Sequence, residues 1–173
     1  QGVDVYVFEG KKITDIVSEY NMLSGGGADV PEWGLGVFYR CCGQYNQEQV
    51  LGMADYFRSH DLPCDILGLE PGWQSHAYSC SWAWSERFPE PEKMLRKLRG
   101  DGFHVSLWEH AFCHPSSPVY SALSEHCGEY EVWGGVVPDF ATDEAKKIFA
   151  DYHRGKLVDN GVDGFKLDEC DSS

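Results

Sequence analysis

The stretch Val162-Asp-Gly-Phe-Lys-Leu-Asp-Glu-Cys-Asp171 decides how this chain is read. Gly164-Phe-Lys-Leu167 has the composition of a short strand, and it runs into a carboxylate, Asp168. Side chains alternate across a strand, so Lys166 and Asp168 share a face. A neighbouring cation favours an ionised carboxylate, and a carboxylate must be ionised to attack an electrophilic carbon. Two readings fit the local pattern: a Lys–Asp pair that merely ends a strand, or a carboxylate prepared for chemistry.

Working outward, the same strand–helix alternation recurs. Upstream, Thr142 can cap a helix with Asp143 and Glu144 in its first turn and Ala145, Ile148, Phe149 and Tyr152 on one face. Phe103-His-Val-Ser-Leu-Trp108, Asp65-Ile-Leu-Gly-Leu69 and Leu35-Gly-Val-Phe-Tyr39 read as three earlier strands. Helices fall between them, one marked by Val50, Met53, Ala54 and Phe57 and the other by Met94, Leu95 and Leu98. Strands alternating with helices imply a parallel sheet with right-handed crossovers. The predicted fold is α/β, the first four βα units of a (β/α)8 TIM barrel. A whole barrel needs ~250 residues, and this chain has 173. Long loops follow the second and third strands and carry most of the Trp and His and three of the seven Cys. In such barrels the site lies on the loops at the strands' C-terminal ends.

Residues 1–30 look different and are assigned to the end of a preceding β domain and its connector, with 31–173 as the N-terminal half of the barrel. Val3-Asp-Val-Tyr-Val-Phe8 alternates like a strand. A helical pattern through Ile13, Ile16, Val17 and Tyr20 follows, and Gly25-Gly26-Gly27 breaks the chain. A Gln at position 1 and a stop just past a strand suggest a piece of a longer protein.

A net charge of -14 argues against nucleic acid or an anionic membrane as partner, since both need a basic surface. No apolar run is long enough to span a bilayer, and no signal peptide opens the chain. The seven cysteines are scattered without a framework, so reduced thiols are the default. That leans toward the cytoplasm without fixing a compartment. His110 with His114, and His76 with Cys80, have metal-like spacing, but no second matched pair completes a site; no metal or cofactor is expected. The six Trp suit either a Trp-rich core or a cleft in which a pyranose face stacks on flat rings.

Several motifs, taken in order, resemble glycoside hydrolase family 31, the α-glucosidase and α-xylosidase family. Pro31-Glu-Trp-Gly-Leu-Gly36 resembles the start of that family's barrel. Leu62-Pro-Cys-Asp-Ile-Leu-Gly-Leu-Glu-Pro-Gly-Trp73 resembles its second-strand motif, and Phe88-Pro-Glu-Pro-Glu-Lys-Met94 its Phe-Pro-Asp-Pro helix start. Val105-Ser-Leu-Trp108, Asp139-Phe-Ala-Thr142 and Gly164-Phe-Lys-Leu-Asp168 resemble the third-strand segment, the stretch before the next helix and the nucleophile strand.

The resemblance implies a retaining α-glycoside hydrolase with Asp168 as nucleophile and an acid/base Asp downstream of Ser173. It implies a carbohydrate substrate, no cofactor, and substrate contacts from Glu70, Trp73 and Trp108. Lys166, beside Asp168, is a further candidate for substrate binding, and His110 is either a donor to a sugar hydroxyl or an ordinary loop histidine. One of Trp73, Trp82 and Trp84 should form a subsite wall. Glu70-Pro71-Gly72 departs from the usual Asp-containing pattern. A missing side chain there would leave room for another ring, so an α-galactoside or α-N-acetylgalactosaminide is a second substrate reading. A catalytically silent sugar- or partner-binding fragment is the reading from another class. Half a barrel also leaves sheet edges for the remainder of the barrel, or for self-association.

Overall fold

The computed structural model describes residues 3–169, so Cys170 and Asp171 of the decisive stretch lie outside the described residues. The chain divides into two compact units, Gln1–Glu32 and Trp33–Ser173. In the first, helix α1 spans Ile13–Ser24 and ends on Gly25 at φ 88, a left-handed cap that suits glycine. Phe8 packs edge-on against Tyr20. The expected strand over Val3–Phe8 does not form. Alternation makes a strand only when a second strand takes its hydrogen bonds, and none does so among the described residues.

The second unit is built on a four-stranded parallel sheet. Its strands are β1 (Phe38–Arg40), β2 (Ile66–Leu69), β3 (His104–Glu109) and β6 (Gly164–Leu167), in the order β1-β2-β3-β6. The crossovers carry α2 (Gln47–Ser59), α3 (Pro91–Gly100) and α5 (Asp143–Lys156). Local signals start each helix. Asn46 caps α2 by accepting from the Gln49 N–H, Pro91 opens α3, and Thr142 accepts from the Ala145 N–H at the start of α5. β1 is shorter than the sequence pattern predicts, because Leu35 is taken up in a 3-10 turn over Glu32–Leu35.

The register pairs Phe38 with Ile66, Gly68 with Ser106 and Trp108 with Lys166. Alternation from these pairs sorts the sheet into two faces. Leu67, Leu69, Val105 and Leu107 are buried in the core shared with Val50, Ala54, Met94, Leu95, Leu98 and Ala145 of the helices. The other face, which lines the inside of a barrel, carries Arg40, Gly68, Ser106, Trp108, Gly164 and Lys166. Small residues are needed there: a Cβ on Gly68 would stand 2.3 Å from the Phe38 ring.

One element was not foreseen from sequence. In the long loop after β3, the short helix α4 (Tyr120–Leu123) leads to an antiparallel hairpin of β4 (Cys127–Val132) and β5 (Gly135–Pro138). Val132 pairs with Gly135 across a turn of Trp133 (φ 50) and Gly134 (φ 70). Val136 also bridges to Cys113, and Cys113 to Cys80, so the hairpin is tied back to the loop after β2. Among the described residues no helix is long and apolar enough to cross a membrane.

Candidate active site at the carboxyl ends of the strands

The ends of the four parallel strands carry a connected polar network. Arg40 ends β1, and its Nε stands 3.1 Å from Glu70 Oε2, just past β2. Lys166 Nζ lies 3.7 Å from Glu70 Oε1 and 3.1 Å from Asp168 Oδ2. Trp108 Nε1 donates to the same Asp168 oxygen at 2.9 Å. Sign alternates through Arg40, Glu70, Lys166 and Asp168, so each carboxylate faces a cation. All the members lie on the barrel-interior face, which the strand period fixes.

Asp168 is held at both ends. Its backbone N–H donates to the Glu109 carbonyl, continuing the β3–β6 ladder one residue further. Its Oδ1 accepts from the Glu169 N–H at 3.0 Å, with Glu169 at φ 54. The Trp108 indole N–H, and after it the Lys166 ammonium, hold its carboxyl below the usual carboxylate range. The group is therefore an oriented carboxylate, about two-fifths exposed at the sheet's mouth.

Beneath this network the aromatic residues take roles different from those the sequence implied. Trp73 was expected to touch substrate, yet its ring is 1% exposed and its Nε1 donates to the Trp108 carbonyl at 2.7 Å. It props up the end of β3 and has no face to offer a sugar. Trp82 is fully buried, with its ring on Phe149 and His153 and its carbonyl accepting from the Tyr152 hydroxyl. Trp84 is partly buried against Trp73 and Phe88. Trp108 is 2% exposed, so it reaches the site through its N–H rather than its ring face.

Of the two readings of His110, the donor to a substrate hydroxyl does not fit its place in the fold. It is 0% exposed, enclosed by Tyr78, Trp108, Phe112 and Trp133. Its Nδ1 accepts from the Phe112 N–H, which places the ring proton on Nε2. That Nε2 is buried without a well-formed hydrogen bond, and the backbone of Ala77 compensates only in part. Burial pushes the ring down to about 4, so it is neutral. The correction has a simple cause: the unforeseen hairpin and Tyr78 lie over it.

Glu70 and Lys166 do reach the mouth, although the Glu70 carboxylate is tied between two cations. The room expected from Gly72 is already occupied. A Cβ there would stand 2.0 Å from the Gly43 carbonyl, so glycine lets the loops after β1 and β2 touch. An open hollow of about 610 Å³ lies alongside, lined in part by Gly43, Gln44, Gly72, Gln74, Ser85 and Arg87.

Three residues missed by sequence reasoning belong to this region. Arg40 joins the network. Tyr78 and Trp133 present half-exposed rings whose centroids are 5.2 Å apart. Burial, and next the charge of Glu169, raise the Tyr78 phenol, keeping it protonated. On the helix side of the sheet, Glu109 Oε2 stands 3.0 Å from His153 Nε2, both nearly fully buried. Among the described residues no group of three or more His, Cys, Asp or Glu could hold a metal ion. His76 and His114, two of the spacing-based candidates, stack at 3.4 Å instead. The six described cysteines are free; burial drives Cys41 and Cys80 up to about 12, leaving them unreactive thiols.

A model of the glycosyl hydrolases family 31 TIM-barrel domain matches residues 28–173. This chain belongs to glycoside hydrolase family 31. The chain is 28% identical over 183 residues to the α-xylosidase XylQ of Lactiplantibacillus pentosus, covering 97% of this chain and 24% of that protein. It is 26% identical over 178 residues to an α-glucosidase of Saccharolobus solfataricus, covering 96% of this chain and 25% of that one. A solved family 31 dextranase of Flavobacterium johnsoniae, complexed with glucose, superposes with a TM-score of 0.77 at 25% identity, over 90% of this chain and 21% of the dextranase. The chain thus spans about a quarter of the length of these relatives.

Proposed function

We propose that the protein carrying this family 31 domain is a retaining α-glycosidase and that Asp168 is its nucleophile. The single observation behind this is an ionised carboxylate at the carboxyl end of a barrel strand, oriented by the Trp108 N–H and the Lys166 ammonium. The named relatives are α-glycosidases, which supports the reaction class.

In the first step an Asp168 oxygen bonds to the anomeric carbon while the bond to the leaving oxygen breaks. That oxygen takes its proton from a second carboxylic acid, giving a covalent β-glycosyl-enzyme. Water, deprotonated by the same second group, then attacks the anomeric carbon and releases Asp168 with net retention. The family resemblance assigns this acid/base to an Asp downstream of Ser173. The two carboxyls of a retaining pair stand ~5–5.5 Å apart, so later barrel strands have to present it across the mouth from Asp168. The rest of the barrel is accordingly the partner proposed for the β1 and β6 edges, where Phe38 and Leu167 are exposed. Lys166, Arg40 and Glu70 supply polar contacts at the rim.

The test is Asp168→Ala in the full-length protein, assayed on aryl α-glucoside, α-xyloside, α-galactoside and α-N-acetylgalactosaminide. Wild-type should release the aryl alcohol from at least one glycone and the variant from none. Added azide should then give a glycosyl azide of inverted configuration, which a merely structural role would not produce. Full activity in Asp168→Ala overturns the assignment. No turnover of any glycone by wild-type would favour the silent sugar-binding reading. The panel also separates glucose- and xylose-type substrates from galactose-type ones.

A further inference from the structure

We propose that Tyr78, in the loop after β2, is a specificity residue whose hydroxyl donates to Glu169 and whose phenol oxygen accepts from one hydroxyl of the glycone. Glu169 is then a positioning residue. The proposal rests on the α-glycosidase reading of Asp168 and adds to it the group that reads a sugar hydroxyl.

The first reason is the backbone at Glu169. Strand alternation would send this side chain to the helix side of the sheet, as it sends Glu109 to His153. Instead Glu169 takes φ 54 directly after Asp168. That left-handed conformation costs a residue with a Cβ and suits glycine. Strain of this kind collects at functional sites, where the surroundings over-determine it. The turn brings the Glu169 N–H onto Asp168 Oδ1 at 3.0 Å. It also sets the carboxylate against Tyr78, whose phenol is raised by burial and then by the Glu169 charge and a hydrogen bond to it.

The second reason is that nothing competes for that carboxylate. Glu169 Oε2 is buried without a hydrogen bond among the described residues. The cations at the mouth serve other groups: Arg40 stands on Glu70, and Lys166 between Glu70 and Asp168. A carboxylate is a strong acceptor, so the Tyr78 proton is fixed on the Glu169 side. A phenol has one proton to give. With that proton committed, the oxygen meets any third group as an acceptor, and donating to a charged partner strengthens it in that role.

The third reason is position. Trp108 donates to Asp168, and the Tyr78 ring lies 5.2 Å from Trp108 and 5.9 Å from His110. Asp168, Trp108, Tyr78 and Glu169 thus close a ring of contacts around the nucleophile. Trp108 and His110 are buried, whereas Tyr78 is 44% exposed, so among these rings it is Tyr78 that has surface to meet a ligand. A glycone bonded to an Asp168 oxygen lies beside it. Sugar hydroxyls are donors, and a phenol oxygen held as an acceptor is their complement.

The experiment uses the full-length protein and the aryl α-glycoside of the glycone cleaved fastest in the panel, together with each of its monodeoxy analogues. Tyr78→Phe keeps the ring on Trp108 and removes only the oxygen, so the thermal midpoint should be retained. On the parent glycoside kcat/KM should fall roughly tenfold. On one analogue, the one lacking the hydroxyl that Tyr78 accepts from, Tyr78→Phe and wild-type should be equal. Glu169→Gly fits the left-handed turn and should show the same selective loss. The double variant Tyr78→Phe/Glu169→Gly should be no slower than the slower single variant, because the two residues act as one. An equal loss on every analogue, or none on the parent, overturns the proposal, and full additivity of the two single variants overturns the role of Glu169. Absence of wild-type turnover on every glycone instead removes the α-glycosidase reading of Asp168, and the proposal with it.

Discussion

Replacing His153 by Leu should cost this domain far more than a surface change would. The side chains of Glu109 and His153 are 2% and 7% exposed, with Oε2 and Nε2 3.0 Å apart. His153 Nδ1 also lies 2.9 Å from the Phe149 carbonyl, an acceptor only, so that nitrogen donates. Its Nε2 is thus the buried polar partner of the Glu109 carboxyl. His153→Leu leaves Glu109 buried without that partner. Removing one member of such a pair costs about 3–5 kcal/mol. The double variant Glu109→Leu/His153→Leu removes the charge as well and should recover most of that loss. Urea unfolding of the four proteins of the cycle gives the coupling directly. The Glu109 carbonyl accepts the Asp168 N–H, so the single variant should also lower kcat more than it raises KM. A single-variant cost below about 1 kcal/mol, typical of exposed pairs, would refute the reasoning. A cycle with no coupling would do the same.

Two further outcomes follow from groups at the strand ends. His110 is held neutral, with its folded value lowered to about 4 by burial. Its contribution to stability is complete above the unfolded value of about 6.5 and is lost as pH falls toward 4, by about 3 kcal/mol at most. In His110→Asn the amide oxygen can still accept from the Phe112 N–H, but nothing titrates. The stability difference between pH 7 and pH 4 should therefore shrink in the variant, and an unchanged difference would exclude His110 as its source. Asp168 is kept low first by the Trp108 N–H, so it stays ionised into acid. Trp108→Phe should move the acid limb of kcat/KM toward higher pH, and a limb that does not move would mean that the indole does not set the ionisation.

Much of the fold was legible because the relevant signals are local. Asn46, Pro91 and Thr142 start helices through side chains within a turn of where they act. The apolar run Ile66–Leu69 and the Val105, Leu107 and Trp108 of the third strand mark strands buried on both faces. The strand period put Lys166 and Asp168 on one face, and their 3.1 Å contact follows from it. The hairpin was not legible. Its strands carry exposed charged residues, Glu129 and Glu131 among them, and its turn has Trp where Asn or Gly is the usual sign. Because the hairpin was missed, His110 was assigned to a rim that Tyr78 and Trp133 cover. Arg40 was missed for a related reason: its significance depends on Glu70, which lies just past the end of another strand.

The sequence by itself determined the alternation of strands and helices, the family, and the residue that ends the fourth strand of the parallel sheet, since each is carried by period or by motif along the chain. Only the tertiary structure decided which aromatic rings keep an open face, that Trp108 meets Asp168 through its N–H, and that Glu109 turns to the helix side to find His153. Burial and pairing of this kind depend on which distant segments pack together, and no spacing along a single strand or loop records that.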